Sequence, residues 1–317
     1  MSAHTRLSSP TTSTVPTPAT SLGPVGLVLL AAMLWGTTGT AQHFAPGSLS
    51  PYWVGGLRMV MAALFFVVLA SITKGKATPS QAPKRWNRLL FCGLCMAVYN
   101  LCFFAGVRAS GVALGTALAI GSGPIWAGFM QALVQKRWPS ALWWLGTCVG
   151  VGGGIVMALA ASDGHPLPWT GMALCLLAGL SYAAYALVNQ ALVKEGSVAG
   201  VNAWVFGIAA LMSLPLAAWL GGPLHTTASG WLVVIYLGVV ATGVAYLLFS
   251  IGLRGMSAAT CVALSKAEPI TAFALSLLIV GERPAWWAVL GLLAVIAGLL
   301  TVVRAERQES TSSGNLA

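Results

Sequence analysis

Two charged residues, Lys266 and Glu268, stand within a long apolar stretch, directly before Pro269. A charged side chain near the centre of a bilayer costs about 3 kcal/mol on insertion scales, so it persists mainly where it faces a polar cavity or a partner. Positions i and i+2 diverge by about 200° on a helix, so we expect one of the two side chains to face such a cavity. Lys266 could there bind a carboxylate, and Glu268 could bind an amino group.

Each of these charges also has a structural interpretation. Glu268 could be a hydrogen-bonded anchor that fixes the local geometry of the helix, and Lys266 could extend its ammonium group toward the membrane surface. Arg58 stands in another apolar stretch, where we expect it to pair locally or to reach the outer interface.

Proline occurs at matching places in two apolar stretches. Pro124 follows Gly121-Ser122-Gly123, and Pro269 follows Lys266-Ala267-Glu268. Proline removes a backbone donor and frees the carbonyl four residues earlier, so we predict interrupted helices at both places. Paired breaks of this kind are typical of a transporter's substrate site. The alternative is that both prolines merely kink helices whose freed carbonyls are met by neighbouring groups.

Aromatic and amide side chains near the middle of other apolar stretches could complete a pocket. The candidates are Trp35, Tyr99, Asn100, Trp126, Tyr182, Tyr185, Asn189 and Tyr246. For each aromatic residue, ordinary helix packing or a place in an interfacial belt is the alternative role.

Several kinds of chemistry are disfavoured by the sequence. Aspartate and glutamate total 6 and histidine 4, which leaves little material for a metal cluster or an acid–base centre. Cys92 and Cys95 have C-x-x-C spacing inside an apolar stretch without a second ligand pair, which favours packing. No Walker sequence is present. We therefore expect no enzyme, no metal and no cofactor.

The amino-acid composition indicates that lipid, rather than water, surrounds most of the protein. Hydrophobic residues make up 57% of the 317 and charged residues 7%, with a mean hydropathy of +0.84, whereas soluble domains carry about 25% charged residues. Apolar stretches near the ~20 residues that span a bilayer recur along the chain. We predict ten transmembrane helices at 24–43, 51–72, 86–106, 112–134, 140–160, 169–190, 200–220, 230–252, 257–279 and 285–303.

Basic residues orient these helices. With both termini in the cytoplasm, only Arg108 and Arg283 fall outside, which is a strong positive-inside bias. The basic residues then inside are Arg6, Lys74, Lys76, Lys84, Arg85, Arg88, Lys136, Arg137, Lys194, Arg254, Arg304 and Arg307. Their placement in short segments, rather than along one surface, excludes a nucleic-acid partner.

An internal repeat relates the two halves of the apolar region. A shift of 145 or 146 residues lays LCFFAGVR, ending at Arg108, over LLFSIGLR, ending at Arg254. The shift also pairs Gly106 with Gly252, Pro124 with Pro269, Pro139 with Pro284, Gly146 with Gly291 and Gly153 with Gly298. With five helices in each half, the second half must be inverted relative to the first.

The predicted organisation follows from this repeat. A disordered tail at 1–22, rich in Ser, Thr and Pro, cannot offset the entropy of ordering. The first five-helix repeat covers 24–160, the second covers 169–303, and a cytoplasmic C-terminal tail covers 304–317. The fold class is an all-α membrane protein.

Short patterns in this order resemble the drug/metabolite transporter superfamily of the ten-helix EamA type. They are Leu34-Trp35-Gly36, Arg58, Glu268-Pro269 and Gly281-Glu282-Arg283. The first half departs from the family pattern, with Gly123-Pro124 lacking a preceding glutamate and Lys136-Arg137 where Gly-Glu is usual. Within the superfamily the chain looks most like YddG-type exporters, which implies export of aromatic and other amino acids from the bacterial cytoplasm.

We therefore expect a secondary transporter of the bacterial inner membrane with a central cavity between the two repeats. Its partners are small-molecule substrates and the lipid bilayer, and nothing in the sequence requires a partner protein, so a monomer is compatible with it. Alternatives are a carrier of another metabolite or of an organic cation, and a channel or a scaffold that transports nothing.

Overall fold

The computed structural model describes residues 23–47, 49–73, 82–110, 112–160, 169–281 and 285–314. These residues form helices and connecting segments without a β-strand. We number ten helices: α1 (Pro24–Gly36 and Thr38–His43), α2 (Pro51–Thr73), α3 (Ala82–Ser110), α4 (Val112–Gln135), α5 (Ala141–Ala160), α6 (Trp169–Glu195), α7 (Val198–Leu220), α8 (Ala228–Ile235, Tyr236–Val244 and Ala245–Gly252), α9 (Ala258–Leu264, Ser265–Ala267, Glu268–Leu275 and Ser276–Val280) and α10 (Trp286–Gly314).

The helices confirm the predicted all-α membrane architecture. Nine of those in the described ranges are long and apolar enough to cross a bilayer, and α5 is apolar over the shorter stretch Ala141–Met157. The predicted tail 1–22 and the Glu282-Arg283 pair lie outside the described residues. The predicted C-terminal tail begins as helix, because α10 continues to Gly314.

The outer surface of the helices is apolar, as a lipid environment requires. Leu278 exposes 82% of its surface, and Trp169, Trp219 and Trp286 expose 78%, 79% and 75%. These tryptophans stand at the start of α6, the end of α7 and the start of α10. Tryptophans at helix ends form the aromatic belts of membrane interfaces, so we place one interface at these helix ends.

Ser and Thr side chains begin several of the later helices. Ser197 Oγ accepts a hydrogen bond of 3.0 Å from the Gly200 amide at the start of α7. Ser257 Oγ accepts one of 3.1 Å from the Thr260 amide at the start of α9. Such caps satisfy backbone donors that a helix leaves free at its first turn, which explains why the chain can turn sharply there.

Contacts between the two halves occur in matching pairs. Helix α3 packs on α6 as α8 packs on α1, and α4 packs on α6 as α9 packs on α1. Helix α3 contacts α7 as α8 contacts α2, while α2 packs on α7 and α5 packs on α10. With α1 to α5 equivalent to α6 to α10, every one of these contacts has its counterpart.

Glycines bring α5 and α10 into backbone contact. A Cβ atom on Gly146 would lie 2.8 Å from the carbonyl oxygen of Gly298, and a Cβ on Gly153 would lie 2.5 Å from that of Gly291. The later glycine of α5 therefore meets the earlier glycine of α10, so the two helices run antiparallel. Small residues permit this close approach, which drives helix association in lipid.

The two proline positions differ in structure. Helix α4 continues through Pro124 without interruption, so the interruption predicted there is absent, whereas α9 changes to one turn of 3₁₀ helix at Ser265–Ala267 before Pro269. One lost hydrogen bond does not end a helix that its neighbours hold in place. Helix α6 supplies that support, because a Cβ on its Gly179 would lie 2.7 Å from the Ala119 carbonyl oxygen.

Candidate functional site

A polar cavity lies between the two halves of the chain. Its volume is about 70 Å³, and helices α1, α2, α3, α4, α6, α8 and α9 contribute to its walls. The lining residues are Trp35, Thr38, Gln42, Arg58, Tyr99, Phe103, Phe104, Ala119, Ile120, Tyr182, Ala241, Thr242, Tyr246, Ser265 and Glu268. Ligand pockets usually measure ~300–1,000 Å³, so a metabolite fits only if these walls separate.

The local geometry of α9 decides which of its charges reaches the cavity. In a 3₁₀ turn the positions i and i+3 eclipse, so Ser265 and Glu268 share a face, and both line the cavity. Lys266 is rotated from them by about 120° and is absent from the lining. It is 7% exposed, and its Nζ has no hydrogen-bond partner among the described residues.

A glycine on α1 sets the position of Glu268. A Cβ on Gly36 would lie 2.6 Å from the Glu268 carbonyl oxygen and 2.6 Å from the Thr271 Cβ. Only glycine therefore permits α1 to pack this closely on the turn that carries Glu268. This contact gives the Leu34-Trp35-Gly36 pattern a physical role at the cavity.

Arg58 is the cation of the cavity. Its Nη2 donates a hydrogen bond of 3.1 Å to Asn100 Oδ1, and its guanidinium carbon lies 5.4 Å from the centre of the Phe104 ring. The described residues show no direct ion pair between Glu268 and either Arg58 or Lys266. Arg58 and Glu268 thus face one cavity as separate charges.

Aromatic rings form the apolar part of the wall. The Trp35 ring centre lies 5.0 Å from that of Tyr246 and 6.2 Å from that of Tyr182. Tyr99 lies 5.5 Å from Tyr182. These centre-to-centre distances are typical of favourable aromatic pairs, so the rings support one another around the space.

Several hydrogen-bond donors in the cavity wall have no acceptor among the described residues. Arg58 Nε, Trp35 Nε1 and the Tyr182 hydroxyl are all buried without a hydrogen-bond partner among the described residues. Buried polar groups in proteins are almost always paired, so three unused donors around one cavity call for an explanation. A ligand rich in oxygen atoms would satisfy them.

The structure brings together some of the residues that the sequence singled out. Trp35, Tyr99, Tyr246 and Glu268 line the cavity. Ile120 and Ser265, each four residues before a proline, also line the cavity. The segment before each of the two prolines therefore contributes to the cavity wall.

Other predicted residues lie behind the wall. Asn100 is 4% exposed and accepts a hydrogen bond from Arg58, but it does not itself line the cavity. Tyr185 is fully buried, with its ring centre 5.9 Å from that of Tyr246. Trp126 packs against the main core, and its Nε1 is buried without a hydrogen-bond partner among the described residues.

Sequence reasoning missed the cavity role of Arg58, which was expected to pair locally or to reach the interface. The structure shows the local pair with Asn100, but on the cavity wall. Thr38 and Gln42 were also missed. They stand four residues apart after the break in α1 at Thr37, and a polar pair at that spacing on an apolar helix was an available signal.

Metal binding has no evident site. No group of three or more His, Cys, Asp or Glu side chains that could hold a metal ion occurs within the described ranges.

A bundle of membrane-spanning helices around a polar central cavity is the architecture of a small-molecule carrier. The model of the EamA-like transporter family matches residues 23–159 and, a second time, residues 169–304. The chain belongs to the EamA-like transporter family.

Similar proteins are bacterial. The chain is 35% identical over 287 residues to the uncharacterized transporter YwfM of Bacillus subtilis, a match that covers 90% of this chain and 95% of that protein. It is 24% identical over 297 residues to the uncharacterized inner membrane transporter YicL of Salmonella typhimurium, covering 90% and 97%.

Among the solved structures that share the fold is a crystal structure with a TM-score of 0.76 and 18% identity, covering 90% of this chain and 98% of that one. With its apolar helices and its family, the chain is a multi-pass transporter of the bacterial inner membrane.

Proposed function

We propose that this transporter exports amino acids, aromatic ones included, by alternating access through the central cavity. The observation that carries this proposal is that a cation, Arg58, and a carboxylate, Glu268, line one cavity with aromatic walls. Several hydrogen-bond donors in these walls have no partner among the described residues. An amino acid presents the complementary set of groups: a carboxylate, an ammonium group and a side chain.

Arg58 receives the substrate's carboxylate in this proposal. A guanidinium group binds carboxylates through parallel N–H donors in a fixed plane, and Asn100 and Phe104 hold that plane in place. The unused donors of Trp35 and Tyr182 add to the same preference for oxygen atoms. The sequence had assigned this role to Lys266, which lies outside the lining.

Glu268 receives the substrate's amino group. Hydrogen bonds to charged groups contribute about 1.5–3 kcal/mol each, so Glu268 would distinguish an amino acid from a carboxylic acid of the same shape. The rings of Trp35, Tyr99, Tyr182 and Tyr246 would then pack on the side chain, which favours aromatic substrates.

Alternating access rests on the relation between the halves. We infer that they are inverted repeats, a relation that the antiparallel glycine contact of α5 with α10 and the matched helix contacts support. In such transporters the halves rock around a site at the bilayer centre. A cavity of about 70 Å³ fits a state in which the walls have closed.

The face that carries the ends of α4, α6, α8 and α10 is the cytoplasmic one in this proposal. Arg137, Lys194 and Arg254 are found there, and Arg88 forms an ion pair of 3.1 Å with Glu195 at the end of α6. Arg108 lies at the opposite end of α3, as the positive-inside rule requires.

Counterflow of labelled phenylalanine into proteoliposomes of the purified protein tests this function. Unlabelled aromatic, basic and acidic amino acids and organic cations serve as competitors. We expect saturable counterflow that aromatic amino acids inhibit. Flux without saturation or counterflow would indicate a channel, and inhibition by organic cations alone would indicate a cation carrier.

A further inference from the structure

A second, larger cavity opens at the cytoplasmic face proposed above. We call it the basin. Its volume is about 810 Å³, within the range of ligand pockets in general. The lining residues are Gln131, Gln135, Arg137, Trp138, Ser140, Gln190, Lys194, Arg254, Gly255, Met256, Ser257, Ala305, Glu306 and Gln308.

The basin and the central cavity share their walls. Helices α4 and α6 each line both spaces, and the segment that joins α8 to α9 lines the basin. On α6, Tyr182 lines the cavity and Gln190 lines the basin, which at 1.5 Å per residue places them about 12 Å apart along the helix. Tyr246 of α8 lines the cavity, and Arg254, which follows the end of α8, lines the basin.

A layer of buried polar side chains lies along α6 and α8 at a depth between those of the two spaces. Asn189 Nδ2 lies within hydrogen-bond distance of the Tyr185 hydroxyl at 3.0 Å and of Ser250 Oγ at 3.3 Å, and Asn202 Nδ2 lies 3.0 Å from Ser250 Oγ. All four residues are fully buried. Hydrogen bonds between membrane helices are individually weak, so such a layer can separate when the helices move.

Two glutamines that line the basin, Gln131 and Gln190, are buried, each 6% exposed. Gln190 Nε2 donates to the carbonyl oxygens of Leu253 and Met256, while Gln131 Oε1 accepts a hydrogen bond of 3.3 Å from the Ala259 amide. These bonds hold both side chains in place at the wall of the basin.

The basin also has a net positive charge. Arg137, Lys194 and Arg254 line it together with the carboxylate of Glu306, which accepts a hydrogen bond of 2.6 Å from Thr260 Oγ1. Arg254 is held by the Val193 carbonyl oxygen at 2.7 Å. Clefts lined by one sign of charge concentrate ligands of the opposite sign, so the basin attracts carboxylates.

We propose that the basin is a second substrate site, which binds the carboxylate end of an amino acid before it passes the polar layer into the central cavity. The assignment rests on the proposed amino-acid transport. In the closed conformation the basin has room for a substrate and the central cavity does not, so a substrate from this face binds first in the basin.

The test uses a variant that lowers the charge of the basin, Arg137→Gln with Lys194→Gln. The matched control, Arg85→Gln with Arg304→Gln, removes two charges from the same face outside the basin. Any effect of the overall surface charge should therefore appear in both variants. Labelled phenylalanine uptake is measured from the basin face and from the opposite face of oriented vesicles, at low and high salt.

We expect the basin variant to raise KM from the basin face about two- to tenfold at low salt, since exposed charge pairs are individually weak. The effect should shrink at high salt, and the KM from the opposite face should not change. Competition by phenethylamine, a cation without a carboxylate, should be equal or stronger in the basin variant.

Equal KM values for the basin variant and the parent would overturn the basin site while leaving the proposed function intact. Equal effects of the basin variant and the control would also overturn it, as would a KM change that follows the content of anionic lipid rather than the substrate. Absence of any amino-acid counterflow in the parent would instead count against the proposed function.

Discussion

Replacing Gly36 by alanine tests how α1 positions Glu268. The new Cβ would lie 2.6 Å from the Glu268 carbonyl oxygen, 2.6 Å from the Thr271 Cβ and 3.1 Å from the Ala272 amide nitrogen. Ordinary contacts of these atoms need well over 3 Å, so the backbone of α9 must move away. Overpacking of this kind costs about 1–3 kcal/mol. If the binding-competent state carries this cost, substrate affinity falls about fivefold to 150-fold.

Gly39→Ala is the matched control, because a Cβ at that position meets nothing within 4 Å. Both variants are compared with the parent for folded yield in detergent and for the KM of phenylalanine counterflow. We expect Gly36→Ala to raise KM and Gly39→Ala to leave it near that of the parent. A Gly36→Ala protein with parental KM, or equal losses in both variants, would refute the role of Gly36.

Three further predictions concern charge and packing. Arg58→Gln should abolish or strongly reduce counterflow with little loss of folded protein, which separate measurements of uptake and yield would show. Lys266→Met should retain counterflow and raise thermal stability in detergent. The reason is that it removes a buried cation that has no hydrogen-bond partner among the described residues. Loss of transport in this variant would indicate that Lys266 contacts the substrate. Gly153→Ala should lower the melting temperature, since its Cβ would lie 2.5 Å from the Gly291 carbonyl oxygen, whereas Gly152→Ala meets nothing within 4 Å and should match or exceed the parent.

The helices could be predicted because a membrane imposes one simple rule. Each apolar stretch must be long enough to cross the hydrocarbon core, so hydropathy alone located helices such as α2 and α7. The repeat paired Gly146 with Gly291 and Gly153 with Gly298, and the structure shows these four glycines at one helix contact. Glycines at such contacts can be recognised in the sequence because a larger side chain would not fit there.

The walls of the cavity were harder to predict because they depend on helix rotation. A regular helix leaves open whether Lys266 or Glu268 faces inward, and the 3₁₀ turn at Ser265–Ala267 decides it in favour of Glu268. The place of Arg58 on the cavity wall was missed for a similar reason. Its depth could be counted along the sequence, but its partner Asn100 is 42 residues away and is found only when α2 packs on α3.

The central claim is that Arg58 and Glu268 hold the two charged ends of one amino acid. Its most direct test compares phenylalanine, phenylpropionate and phenethylamine as competitors of phenylalanine counterflow in the parent, Glu268→Gln and Arg58→Gln. The parent should prefer phenylalanine about tenfold or more over each analogue. In Glu268→Gln the preference over phenylpropionate should disappear, and in residual Arg58→Gln activity the preference over phenethylamine should disappear. Equal inhibition by all three compounds in the parent, or an unchanged ranking in both variants, would contradict the account.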